Sequence, residues 1–115
     1  MATKAEIRDR AANDLGILQL GQVLQSQDKT RIEAGYDEVY AQLKKDGFAT
    51  WASTASVPNE LTPHVAALVA DNCSGVYGLS PARFERVKLS AINGDREIRK
   101  FATADYVSQE DATDY

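Results

Sequence analysis

The stretch from Asp28 to Lys45 leaves little choice of secondary structure. Ile32, Tyr36, Val39, Tyr40 and Leu43 recur at i, i+4, i+7, i+8 and i+11, which is one face of a 3.6-residue period. Asp28 near the start and Lys44 and Lys45 near the end complement the helix macrodipole. Gly47 stands where a left-handed cap residue closes such a helix. An amphipathic helix of this length gains most of its stability by burying its stripe against other elements. The rest of the chain must therefore supply partners.

Three further helices are legible. Thr3 and Glu6 have capping-box spacing, Ile7, Ala11 and Leu15 follow at helical intervals, and Gly16 reads as a stop. Thr62-Pro63 is a cap followed by proline at the first helical position, opening a helix to about Tyr77 with Val65, Leu68, Val69, Cys73 and Val76 on its stripe. Pro58 suggests a preliminary turn before it. Ser80-Pro81 repeats the cap-then-proline pattern, and Phe84, Val87, Ala91, Ile98 and Phe101 carry a stripe to about Thr103. Asn93-Gly94 interrupts that stripe, so a bend or a split is expected there. Two connectors join these helices. One runs from Gly16 to Ser26 and is rich in Ile17, Leu18, Leu20, Val23 and Leu24; the other surrounds Trp51. The expectation is an all-α fold: a small bundle of about four helices over residues 1–101, with an extended, mobile C-terminal arm over 102–115.

Charge sharpens that division. The chain of 115 residues has 13 Lys and Arg against 17 Asp and Glu, a net charge of −4. Asp105, Glu110, Asp111 and Asp114 follow Lys100 with no base among them, so residues 1–100 are neutral. Residues 83–100 are locally basic, with six bases against three acids. From Ala102 onward the sequence has neither a helical nor a strand period, as expected of a segment that orders on a partner. The apolar runs are too short to span a bilayer, and no secretory leader is legible at Met1. A single cysteine excludes an internal disulfide and a cysteine-based zinc site.

The chemistry-bearing residues argue for a non-enzyme without metal or cofactor. His64 falls in the first turn of a helix and is expected at the surface. Cys73 falls on an apolar stripe and is expected in the core. Nine residues separate them, two and a half helical turns, so they point in opposite directions on a straight helix. Asp37 and Glu38 are adjacent and likewise diverge. No phosphate loop or nucleophile elbow is present. Trp51 either caps the core or anchors a subunit contact. Val65 to Tyr77, a turn at Gly78-Leu79-Ser80 and a helix bearing Arg83, Arg86 and Lys88 superficially match a helix-turn-helix DNA-binding regulator, although the chain as a whole is acidic.

In order along the chain stand a short first helix with a Leu15-Gly16 exit, a long helix carrying Tyr36-x-x-Val39-Tyr40-x-x-Leu43, and then Phe48 and Trp51-Ala52. A Val57-Pro58-x-x-Leu61-x-Pro63 lead into an Ala-rich helix ending at Tyr77-Gly78, a last helix and a tail complete the series. In this order the chain resembles the head-to-tail adaptor (head-completion or connector) proteins of tailed bacteriophages, particularly short-tailed ones. The resemblance implies a structural virion protein at the head–tail junction, made in the host cytoplasm. It would form a ring, commonly dodecameric, on the portal protein after DNA packaging, extend the DNA channel, help retain DNA and offer a platform to tail nozzle or needle proteins. DNA would pass without sequence-specific binding. It further implies a portal-binding arm, here Asp105, Tyr106, Val107, Glu110, Asp111 and Tyr115. Candidate subunit or tail contacts are Leu18, Leu20, Trp51, Arg96 and Arg99. Acidic residues are expected to face the channel. A small assembly chaperone absent from the finished particle is the other alternative.

Overall fold

The computed structural model describes residues 3–18, 22–49, 51–52 and 57–114, with side chains through Ala102. Among these residues four α-helices are formed: α1 (Lys4–Leu15), α2 (Ser26–Lys45), α3 (Thr62–Cys73) and α4 (Pro81–Asp114). Single 3-10 turns, Asn59–Leu61 and Ser74–Val76, flank α3. Among the described residues no β-strand is formed. The fold is the all-α bundle of four helices expected, with the arm as the distal part of α4.

The helix ends follow the local chemistry. The Thr3 hydroxyl accepts from the Glu6 N–H at 3.2 Å, and Gly16 takes a left-handed conformation at φ 81° to close α1. The Ser80 hydroxyl accepts from the Arg83 N–H at 3.3 Å and opens α4. Pro63 occupies the first turn of α3, after the turn that Pro58 introduces. Helix α3 stops four residues before Tyr77 because the chain tightens into a 3-10 turn at Ser74, whose hydroxyl donates to the Asp71 carbonyl at 2.8 Å.

Successive helices run antiparallel. Lys4 reaches Asp37 and Arg8 reaches Glu33, fixing α1 against α2. Asn72 donates to Glu38, fixing α2 against α3. Lys88 meets Asp71, fixing α3 against α4. Helix α3 packs against all three others, whereas α1 touches α4 only slightly. Its composition explains this position: Ala66, Ala67 and Ala70 are buried and let neighbours approach, while Val65, Val69 and Cys73 fill the space between. Ile7, Leu15, Ile32, Tyr36, Leu61 and Ile98 complete the core, each nearly inaccessible. Burial of a side chain of this size stabilises by roughly 1.5–3 kcal/mol.

The expected break at Asn93-Gly94 does not occur; α4 is one helix through both residues. Gly94 is buried at the α3–α4 crossing, where a Cβ atom would lie 2.9 Å from the His64 carbonyl oxygen and 3.2 Å from its Cα. The glycine lets two backbones meet rather than ending a helix. Gly35 instead makes room on α2 for side chains of α3: a Cβ there would stand 2.7 Å from Cys73 Sγ and 3.1 Å from Asn72 Oδ1. The helical backbone also continues past Thr103, beyond the point at which the apolar stripe ends. At 1.5 Å per residue its 34 residues span about 51 Å, close to the molecule's longest extent of 52 Å.

Candidate interaction surface on the fourth helix

Helix α4 is held by one face. Val87, Ala91, Gly94 and Ile98 are buried, spaced by four, three and four residues, and Phe101 continues the series as a half-buried contact with the core. Leu61, in the turn just before α3, and His64 in its first turn share a small cleft with Glu97, Lys100 and Phe101. Helix α3 therefore runs out opposite Phe101, and α4 continues for thirteen residues more. Phe84 belongs to the edge of the stripe: it is 40% exposed, with the Lys88 ammonium 5.2 Å from its ring centroid.

The opposite face of α4 is open. Leu89 and Ile92 are 60% and 59% exposed, and with Glu85 and Arg96 they form a second row at spacings of four, three and four. Exposed apolar residues are ordinary singly; two in one row between charges of opposite sign make a patch worth explaining.

Most of the basic residues of this helix are committed within the fold. Arg83 donates to the Asp14 carbonyl at 3.3 Å, satisfying a free carbonyl at the C-terminus of α1. Lys88 lies 2.8 Å from Asp71, and Lys100 lies 3.6 Å from Glu97. Arg99 pairs with Asp95 at 2.8 Å and covers the Phe48 ring at 4.7 Å, so it binds the second connector to α4 while remaining half exposed. Glu85, Arg86 and Arg96 make no ion pair with any described residue.

The other sequence-derived candidates separate clearly. Leu18 is half-buried against the core, and its carbonyl accepts from Asn13. Leu20 lies outside the described residues. Trp51 is 6% exposed, its indole N–H donating to the Tyr36 hydroxyl at 3.3 Å while its carbonyl accepts from Tyr40 at 2.8 Å. Burial of that kind matches the core-capping alternative and leaves no surface for a subunit anchor. Asp105, Tyr106, Val107, Glu110 and Asp111 fall on the distal α4 backbone, but their side chains are not among those described; Tyr115 lies outside altogether. The row Glu85-Leu89-Ile92-Arg96 was missed as a unit, because sequence spacing alone does not say which of two apolar rows on one helix faces inward.

Elsewhere, a cleft of about 270 Å³ opens between α1 and α4, floored by Ala67 and Ala70 of α3 and lined by Arg10, Asp14, His64 and Arg86. Partial desolvation at the cleft raises the carboxyl of the otherwise exposed Asp14 above its ordinary range, and the nearby Arg10 offsets part of that. Cys73 is buried, its thiol pushed up first by burial and then by Glu38, against an opposing effect of Arg31. His64 is half-buried at the far end of α3. Among the described residues no group of three or more His, Cys, Asp or Glu is placed to hold a metal ion, and no helix is long and apolar enough to cross a membrane.

The α3–α4 pair is an antiparallel hairpin. Leu61 lies near Phe101, His64 against Gly94 and Asp71 against Lys88, so contact persists along the whole of α3. A helix-turn-helix instead turns at about 90–120° and leaves its second helix free for a DNA groove. Here Arg83 and Lys88, two of the three bases that the DNA-binding reading needs, are engaged within the fold. Comparison of the chain with family models, curated proteins and solved structures returned no match.

Proposed function

We propose that this chain is a structural subunit of a phage head–tail junction, assembling as a ring on the portal vertex and carrying no catalytic function. The observation that carries the reading is the form of α4: a 34-residue helix clamped by α3 only as far as Phe101, continuing into a segment that holds four acids and no base. A helix that outruns its own domain is a means of reaching a second molecule. A ring of such arms docking on a ring of portal subunits multiplies weak contacts through effective concentration. In this reading Asp105, Tyr106, Val107, Glu110, Asp111 and Tyr115 meet the portal. The body offers a platform to tail proteins, Arg96 and Arg99 belong to its contact surface, and acidic residues line a channel through which DNA slides.

The neutral body suits ring contacts, in which basic and acidic residues of neighbouring copies face each other. The antiparallel α3–α4 hairpin weighs against a DNA-binding regulator. The test is to mix the protein with purified portal rings and image the product by electron microscopy. An added ring of density on the portal is expected, and truncation after Ala104 should remove it. Unaltered docking of the truncated chain would sink the arm's role, and no docking of the full chain would sink the adaptor reading. Mass spectrometry of purified virions distinguishes a resident adaptor from a chaperone that leaves.

A further inference from the structure

We infer that the outward face of α4 is a self-complementary surface through which two copies of this chain pair about a two-fold axis. Glu85, Leu89, Ile92 and Arg96 are exposed, lie in one row, and order their charges acid first and base last. An antiparallel pairing centred between Ser90 and Ala91 sets Leu89 opposite Ile92 of the second copy. The same registration sets Glu85 opposite Arg96 of the second copy, and symmetry repeats both matches. A parallel, in-register pairing would instead oppose Glu85 to Glu85 and Arg96 to Arg96, which repel. Isologous contacts require this kind of self-matching patch.

The neighbouring charges support the choice. Asp95, Glu97, Lys88, Arg99 and Lys100 are already paired within the chain, whereas Glu85 and Arg96 make no ion pair with any described residue. With α3, and to a small extent α1, packed on its inner side, the outward row of α4 leaves room for a second helix to approach. One helix pair buries less than the roughly 1,200 Å² of a standard stable interface, so the dimer is weak, in the micromolar range or above. This contact belongs to the free protein and does not depend on the adaptor reading, in which ring neighbours are related by a different rotation.

The test is sedimentation of the full chain, without portal, across a wide range of concentration. The wild type should pass from monomer to dimer. E85R or R96E should each raise the dissociation constant about tenfold or more, because each change breaks two symmetric pairs and creates two repulsions. The double variant E85R/R96E should restore dimerisation, since the swapped charges match again. Circular dichroism checks that helicity is unchanged, and E85Q and R96Q replace any swap that unfolds the chain. A wild type that stays monomeric would overturn the inference. So would single variants that dimerise normally, a double variant that fails to recover, or growth beyond a dimer.

Discussion

Gly94 lies against the backbone of His64, close enough that a single added methyl group would sit 2.9 Å from the His64 carbonyl oxygen. That contact sets the separation of α3 and α4. In an open helix, Gly94→Ala would stabilise by about 1 kcal/mol through propensity. Here the methyl must push two backbones apart, and a net loss of about 1–3 kcal/mol is expected. Thermal or urea unfolding of the variant measures it; a more stable Gly94→Ala protein would show that the crossing is looser than described.

The polar contacts beneath the second connector are also testable. Tyr40 donates from its hydroxyl to the Trp51 carbonyl, so Tyr40→Phe removes the donor while preserving the ring. A loss of about 0.5–1.5 kcal/mol is expected from urea unfolding. Trp51→Ala should be far more damaging, about 3–5 kcal/mol, because it empties a buried site. Fluorescence offers a parallel readout, since Trp51 is the sole tryptophan and should shift to the red on unfolding.

Asp14 makes stability depend on pH in the less familiar direction. Asp14 keeps much of its surface exposed, but partial desolvation at the cleft raises its carboxyl above the ordinary 3.8, so the folded state binds this proton somewhat more tightly than the unfolded state. The favourable contribution is complete below the unfolded value and lost as pH rises through the folded one. At neutral pH the charge also sits in the last turn of α1, where the helix dipole disfavours it. Asp14→Asn should therefore raise the melting temperature at pH 7, with the gain shrinking as the pH is lowered through the carboxylate range. An equal gain at all pH values would contradict this origin.

The Cys73 thiol, buried and held protonated at neutral pH, should be alkylated far more slowly in the native protein than in urea. Mass spectrometry of timed iodoacetamide reactions gives the ratio. Its neighbour Gly35 offers a companion test, because Gly35→Ala drives a methyl into Cys73 Sγ and should speed alkylation by loosening the α2–α3 contact.

Much of the architecture was legible because periodicity and capping are local. The stripe from Ile32 to Leu43, the Thr3 cap and the two Ser/Thr-Pro openings each depend on residues within a few positions of one another. Tyr36 and Cys73 belong to the core, as their stripes indicated. Gly94 was misread because its reason lies thirty residues away in the His64 backbone. A signal was nevertheless present: Ala91 and Ile98 keep the same phase on either side of it, which a true break would not preserve. The sequence leaves Trp51 between two roles because its partners, Tyr36 and Tyr40, lie on α2, eleven and fifteen residues away. The outward row on α4 needed the inward one to be assigned first, and only packing against α3 does that.

The uneven grip on α4 has a mechanical corollary. A rod held only as far as Phe101 turns angle into distance: a bend of about 10° just beyond that residue displaces Asp114 by about 3 Å, given 1.5 Å of rise per residue. Small bends beyond the grip of α3 would thus shift the distal end by several ångströms, while the buried row from Val87 to Ile98 keeps its core contacts unchanged.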